Sequence, residues 1–483
     1  MSSTSHESRA RGRVTTPKPS EAVRHFTVPE RIDRGRAVRS AVPRSSHAEW
    51  EAPSDRPDPV ALLHEQAETR VPELIPIRYG RMLVSPFAFY RGAAAIMASD
   101  LSRLPRTTLD VQLCGDAHLS NFGSYAAPDR RLVFDINDFD ETLPGPFEWD
   151  LKRLAASFAV AGRSRGFDRG ERERINRAVV DAYREWITSF AAMRTFDVWY
   201  SRVDIDALAG MGAELGAGVM KRFERNLAKA RSKDSLAALG KLTRIVDGEP
   251  RFVSEPPLIV PVEELFGATS DQVVESVRKV IRSYRRTLQG DRRYLLERFR
   301  FVDLARKVVG VGSVGTRAWI ALFVGRDNED PLILQVKEAQ ASVLEPFLAP
   351  SRFANHGQRV VEGQRLMQAA SDTMLGWIRA DGYDGIKRDF YVRQLWDAKG
   401  SAVVDAMNAR TMAFYAGLCG RMLARAHARS GDAVAISSYA GSGNTFDRAI
   451  AAFAEAYADQ NERDYEALKA AAESGRVEVQ PGV

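Results

Sequence analysis

The spacing of hydrophobic positions changes along this chain, and the changes predict its layout. From Asp58 to Leu104 the apolar residues recur at helical intervals, as in Val60-Ala-Leu-Leu-His-Glu-Gln-Ala and Phe87-Ala-Phe-Tyr-Arg-Gly-Ala-Ala-Ala-Ile-Met-Ala. Residues 109–141 read instead as two short strands, Val111–Cys114 and Arg131–Ile136, around the turn Ala127-Pro-Asp-Arg. Helical spacing returns from Trp149 to about Phe299, for example in Leu151-Lys-Arg-Leu-Ala-Ala-Ser-Phe-Ala-Val-Ala. At Arg300 the texture turns β: Asp303–Val309, Arg317–Val324 and Leu332–Val336 are short β-branched or alternating runs separated by turn residues, which predicts an antiparallel meander. A helix follows at Gln358–Ala370, then strands at Thr373–Arg379 and Asp389–Leu395. Long helices close the chain at Val404–Ser430 and Thr445–Ala472. The fold class expected is α+β.

Composition narrows the picture modestly. At 483 residues, 45% hydrophobic and 27% charged, the chain is long enough for a sizeable core in two lobes or domains. The net charge of +6 is small, and many of the arginines behind it crowd into the first 45 residues. Residues 1–55, rich in Ser, Pro and Arg, read as a disordered basic tail, solvated rather than built to bind nucleic acid. The basic positions of the helix Val273–Arg286 read as a solvated face. The domains expected are then 56–300, 301–400 and 401–483. Two cysteines, Cys114 and Cys419, form no metal or disulfide framework, no apolar run approaches a membrane span, and the N-terminus lacks an apolar secretion core. A reducing cytoplasm is expected, with no membrane partner.

The chemistry concentrates in a few places. Cys114-Gly-Asp-Ala-His-Leu-Ser-Asn121 carries an Asp and an Asn five residues apart, and Asn137-Asp-Phe-Asp-Glu141 follows after a turn and a short strand. Phosphotransferases use that layout: one carboxylate addresses a hydroxyl, while an amide and a second carboxylate hold Mg²⁺ on a nucleotide's phosphates. Gly310-Val-Gly-Ser-Val-Gly315 matches G-x-G-x-x-G, a pattern shared with dinucleotide-binding folds. There the third glycine opens a helix; here Gly315 leads into the strand-like Ala-Trp-Ile-Ala-Leu-Phe-Val, so strand, glycine turn, strand is the better fit. Lys337 ends the strand Leu332-Ile-Leu-Gln-Val-Lys, where an ammonium needs anionic partners. Glu362 on the following helix is the expected carboxylate partner, with Glu345 as the alternative. Arg78-Tyr-Gly-Arg-Met has no evident role.

Together these segments resemble the protein-kinase-like superfamily, and aminoglycoside phosphotransferases in particular. Residues 114–121 are similar to that family's His-Gly-Asp-x-His-x-x-Asn catalytic loop, with Cys114 in place of the first His. Asp138-Phe-Asp-Glu followed by Trp149-Asp-Leu resembles its metal motif and downstream helix. Gly420-Arg-Met-Leu-Ala-Arg-Ala-His427 resembles the helix that normally runs into the catalytic loop. The whole chain also resembles an uncharacterised bacterial family of unknown function. The resemblance implies a two-lobed kinase-like fold in circularly permuted order: catalytic loop and helical lobe first, glycine loop and lysine later, His-bearing helix last. It implies an ATP- and Mg²⁺-dependent transfer to a hydroxyl of an unidentified small molecule or protein. AMP transfer, or a catalytically silent nucleotide-binding module, stays open. Asp116 becomes the base, Asn121 and Asp138 the metal ligands with Asp135 as a possible second carboxylate, and Asp150 a brace for the loop. Gly310, Gly312, Gly315 and Lys337 cover the phosphates, and Gln394 and Leu395 stand at the adenine hinge.

Overall fold

A computed structural model describes residues 24–211, 235–267, 270–308, 310–382, 384–395 and 399–482, with isolated positions 218, 221, 225 and 228. The architecture is α+β, with a helical body on one side of a cleft and an antiparallel sheet on the other.

The helical body is organised around Phe147–Ser164. Its Ala- and Leu-rich sequence places every residue from Phe147 to Gly162 in the interior, so it serves as a central post. Arg169–Ala192, Ala409–Ser430 and Thr445–Glu473 pack around it. Its first turn carries Glu148 and Asp150, where carboxylates favour the positive end of the helix. Both are used to tie down incoming loops. Glu148 accepts from the Thr107 N–H and hydroxyl, each at 2.7 Å, and Asp150 accepts from the N–H groups of Cys114 at 2.7 Å and Gly115 at 3.0 Å.

The sheet has six antiparallel strands in the order Gly376–Asp381, Lys387–Gln394, Pro331–Ala339, Ala318–Val324, Arg300–Lys307, Ile259–Pro261. Its register sets Lys337 opposite Tyr391 and Gln335 opposite Arg393. Directly opposed residues share a face, and residues two apart share it too. Those four side chains are thereby aimed at the cleft. The helix His356–Met367 crosses between the lysine strand and the strand Gly376–Asp381, capped by Asn355 accepting from the Gln358 N–H at 3.0 Å.

Three expectations about layout need correction. Of the tail predicted as disordered, residues 1–23 lie outside the described residues, but 24–55 are structured. The helix Val28–Ala41 is started by a Thr27/Glu30 capping box and seats on Ala433–Ala440, with Arg39 Nε donating to the Tyr439 carbonyl at 3.0 Å. The stretch 149–299 is not helical throughout: Thr243–Val246 and Glu249–Phe252 form a hairpin, closed by Asp247 and Gly248 at positive φ of 50° and 81°. The sheet side also begins well before residue 301, because Ala238, Leu242, Phe252 and Ile259 share one core with Val302 and Ile320. Among the described residues no helix is long and apolar enough to cross a membrane.

Candidate functional site

The strand Asp110–Leu113 delivers Asp116 to the cleft through a turn that only glycine tolerates. Gly115 has φ of +84°, and a Cβ there would lie 2.2 Å from the Glu141 carbonyl oxygen. Gly115→Ala is therefore expected to displace the loop against 138–141. A loss of about 2 kcal/mol or more in denaturant stability checks this, since left-handed backbone strain and backbone overlap act together. Beyond the turn, Asn121 Nδ2 donates to the Asp116 carbonyl at 2.9 Å, and the Asn137 N–H donates to the Asn121 carbonyl at 2.8 Å. The two acidic segments are thus laced together by backbone bonds.

Asp116 itself is held by a buried cation. Arg153 donates to its Oδ1 at 2.9 Å from Nε, donates to the Tyr90 carbonyl at 2.7 Å, and lies over the Tyr90 ring. His118 Nε2 stands 3.7 Å from the other oxygen. Burial pushes the His118 pKa down to about 4, against the pull of Asp116, so this imidazole is neutral at pH 7.

Across the cleft, Lys337 Nζ lies 2.5 Å from Asp140 Oδ2, and the Tyr391 hydroxyl donates to Asp140 Oδ1 at 2.6 Å. Burial opposes ionisation of Asp140, but the charge and hydrogen bond of Lys337 outweigh it and hold the pKa down to about 2. Asp138 is shifted the other way, raised by burial and then by the charge of Asp140. Lys337 and Arg393 act on it in the opposite sense, but among the described residues no cationic side chain bonds to its carboxylate. Arg359, buried on the helix His356–Met367, donates to the carbonyls of Asp140, Thr142 and Gln340 at 2.8, 2.7 and 2.8 Å, which fixes the 138–142 turn against the sheet.

The glycine turn sits above these carboxylates. Gly310 and Gly315 take φ of +69° and +90°, conformations that side chains rarely adopt. Ser313 Oγ donates to Asp140 Oδ2 at 3.4 Å. The turn is strapped from outside: the Val71 N–H donates to the Gly315 carbonyl at 2.8 Å, Arg81 Nη1 to the Gly310 carbonyl at 2.5 Å, and Arg70 to the Val314 carbonyl. That strap gives Arg78–Met82 a place, as the helix Ile75–Met82 packed beside the turn.

Two connected spaces result. A cleft of about 1090 Å³ is bordered by Asp116, His118, Asn121, Asp138, Asp140 and residues 310–313. A recess of about 250 Å³ shares Asp138, Gly310 and Ser313 with it. Among the described residues, Lys307, Lys337, Arg393 and Lys399 face this recess with Asp138 and Asp372, and even with Asp140 set against Lys337 positive charge is in excess, which suits an anion.

The expected residues therefore meet with three exceptions, Glu362, Glu345 and Asp135. Glu362 does not reach Lys337; it is turned outward, 3.5 Å from Arg365, because the inward face of its helix carries Arg359. Glu345 accepts from the Ser342 N–H at 3.3 Å instead. Asp135 is not available to a metal, being buried in an ion pair with Arg425 at 2.6 Å. Gln394 and Leu395 do border the recess, but both backbone N–H groups are already engaged, by Asp372 Oδ2 at 2.6 Å and the Ile333 carbonyl at 2.9 Å. Their side chains remain to meet a ligand.

Among the described residues no group of three or more His, Cys, Asp or Glu is arranged to hold a metal. Asn121 and Asp138 fit an ion that keeps waters and takes substrate oxygens as its other ligands, which is the habit of Mg²⁺. Asp138 lines both the cleft and the recess with no cationic side chain bonded to it among the described residues, which favours a cation there.

Sequence reading missed Asp140, Tyr391, Arg153 and Arg91. The strand alternation of Phe390-Tyr-Val-Arg was a signal for Tyr391 and Arg393, and the paired carboxylates of Asp138-Phe-Asp one for Asp140. Arg153 and Arg91 carry no local signal, since each is one polar position on a helix.

No curated protein and no solved structure matches the chain significantly. A family model does, over residues 70–471, that of an uncharacterized protein conserved in bacteria (DUF2252). The match spans every residue of the cleft discussed above, the strap residues Arg70, Val71 and Arg81 included, and the chain belongs to that family.

Proposed function

We propose that this protein is an ATP- and Mg²⁺-dependent phosphotransferase acting on a hydroxyl, built on a kinase-like fold in circularly permuted order. One observation carries the reading. Asp116, Asn121 and Asp138 line a cleft beneath the glycine turn, and at Asp138 and Gly310 it adjoins the recess that Lys337 faces, although about 200 residues of chain separate the two groups. A second observation supports the permutation. The Gln112 N–H donates to Ser430 Oγ at 3.1 Å, so the end of the His427 helix abuts the strand leading to Asp116. An uncut kinase-like chain would run through that junction.

In the proposed step the acceptor hydroxyl rests on Asp116. Its oxygen bonds to the γ-phosphorus, the bond from that phosphorus to the β–γ bridging oxygen breaks, and the proton passes to Asp116. Backbone amides of the glycine turn and Lys337 orient the triphosphate in the cationic recess. Mg²⁺ held by Asn121 and Asp138 supplies neutralisation of phosphate charge.

Incubation with γ- or α-labelled ATP and a bacterial extract tests this. Transfer of the γ label is the expected result. Transfer of the α label replaces the reading with AMP transfer, and transfer of neither leaves a nucleotide-binding module without turnover. Asp138→Ala is expected to weaken Mg²⁺-ATP about tenfold or more while leaving metal-free nucleotide nearly unaffected, because one of two protein ligands is lost. Isothermal titration with and without Mg²⁺ reads the difference.

A further inference from the structure

The cationic side chains around the larger cleft are almost all spoken for. Arg153 is committed to Asp116 and the Tyr90 carbonyl, Arg70 to the Val314 carbonyl, Arg317 to Glu338 at 3.3 Å, and Arg388 to Asp384 at 2.6 Å. Arg91 is the exception. It ends the helix Pro86–Gly92, borders the cleft beside Asp116 and Asp138, and forms no hydrogen bond or ion pair among the described residues. Its Nε is buried without an acceptor.

Position makes this more than an unpaired surface charge. The Arg91 carbonyl oxygen lies 3.1 Å from where a Gly312 Cβ would stand, so the helix end is pressed directly under the glycine turn. Burial disfavours the guanidinium, and the charges of Asp116 and Asp138 counter that effect. The side chain therefore lines the cleft within electrostatic reach of both the carboxylate proposed to receive a proton and the carboxylate proposed to hold metal. A partly buried cation with no hydrogen-bond or ion-pair partner among the described residues has a standing electrostatic demand for an anion.

Resting on the phosphotransferase reading, we infer that Arg91 is a further catalytic residue, which binds the equatorial oxygens of the phosphoryl group in flight. Those oxygens carry the charge that spreads when the bond to the leaving oxygen breaks before the bond to the acceptor is complete. Asp116 lies toward the acceptor and Asp138 toward the triphosphate, so a group contacting both regions addresses the phosphorus between them. A guanidinium preorganised there needs no rearrangement at the moment of transfer. An arginine supplied by the same chain would also relieve the site of any need for a partner protein.

The test uses MgADP with and without aluminium fluoride, whose complex imitates the transferring phosphoryl group, titrated into the full-length protein. Wild type is expected to bind MgADP, and to bind it more tightly when fluoroaluminate is added. Arg91→Ala is expected to keep MgADP affinity within about threefold and to lose about 10²-fold of the fluoroaluminate increment, the usual effect of removing one preorganised donor. Arg91→Lys, which keeps the charge without the fork, is expected to recover part of it. Thermal unfolding of both variants controls for folding. Retention of the increment in Arg91→Ala overturns the inference, as does an equal loss of plain MgADP affinity or a wild type with no increment. A wild type that binds no MgADP at all removes the phosphotransferase reading first, so the two failures are distinguishable.

Discussion

Asp116→Asn is expected to lower turnover by about 10²–10⁴-fold, the contribution of a positioned proton acceptor, while MgATP affinity stays within a few fold. The structure adds a complication. Asp116 is the countercharge of Arg153, whose side chain is only 4% exposed, and a neutral amide can still accept its hydrogen bond but leaves the buried guanidinium without that charge, with the Tyr90 carbonyl and ring and Met97 Sδ as its other contacts. Some stability will be lost together with activity. The measurement is therefore single-turnover transfer of the γ label at a temperature well below the variant's own unfolding midpoint, alongside nucleotide titration. Wild-type turnover in Asp116→Asn would sink the assignment of 114–121 as a catalytic loop. Loss of turnover with equal loss of nucleotide binding would reassign Asp116 to architecture.

Arg425→Met carries the largest stability effect expected anywhere in the chain. Arg425 and Asp135 are 1% and 2% exposed and stand 2.6 Å apart. Arg425 also donates to the Met367 carbonyl at 3.0 Å. Removing the arginine strands a carboxylate in the interior, at a cost of about 3–5 kcal/mol. The Ile136 N–H at 2.8 Å and the Ala369 N–H and Tyr125 hydroxyl, both at 3.4 Å, are the donors left to it among the described residues. Urea unfolding at neutral pH should show that loss, and adding Asp135→Leu should restore most of it by removing the orphan charge as well. A single-variant loss under about 1 kcal/mol would contradict the geometry. The double variant should retain its Mg²⁺-nucleotide affinity, because Asp135 is committed to structure.

What could be read in the sequence was what a short segment encodes by itself. The 114–121 loop, the glycine turn and Lys337 are each contiguous, and each sits where its spacing predicted. The strands of the meander were also found within a few residues, because alternation is a local property. What could not be read was which side chain answers which. Lys337 and Asp140 are 197 residues apart, and nothing in either neighbourhood names the other. Glu362 was the natural guess from chain order, but the rotation of its helix is set by burial of Arg359, Val360 and Gly363. Two local signals were present and passed over. Thr27-Val-Pro-Glu30 is a capping box hidden in an otherwise polar stretch, and Asp247-Gly248 marks a hairpin inside a region whose overall spacing is helical.

The seating of Val28–Ala41 on Ala433–Ala440 has a consequence for how the protein is made. Arg39 meets the Tyr439 carbonyl 400 residues later in the chain. At about 5–20 residues per second, the first ordered helix waits roughly 20–80 seconds on the ribosome for its partner. A shorter wait of the same kind applies to the central post Phe147–Ser164, two of whose flanking helices, Ala409–Ser430 and Thr445–Glu473, are synthesised much later. Throughout elongation its apolar surface stays open, and the acidic loop at 114–141 emerges well before the lysine strand that closes over it. A nascent chain in that condition is a natural client for holding chaperones, and loss of the helix Thr445–Glu473 would uncover the face of the post that it packs on.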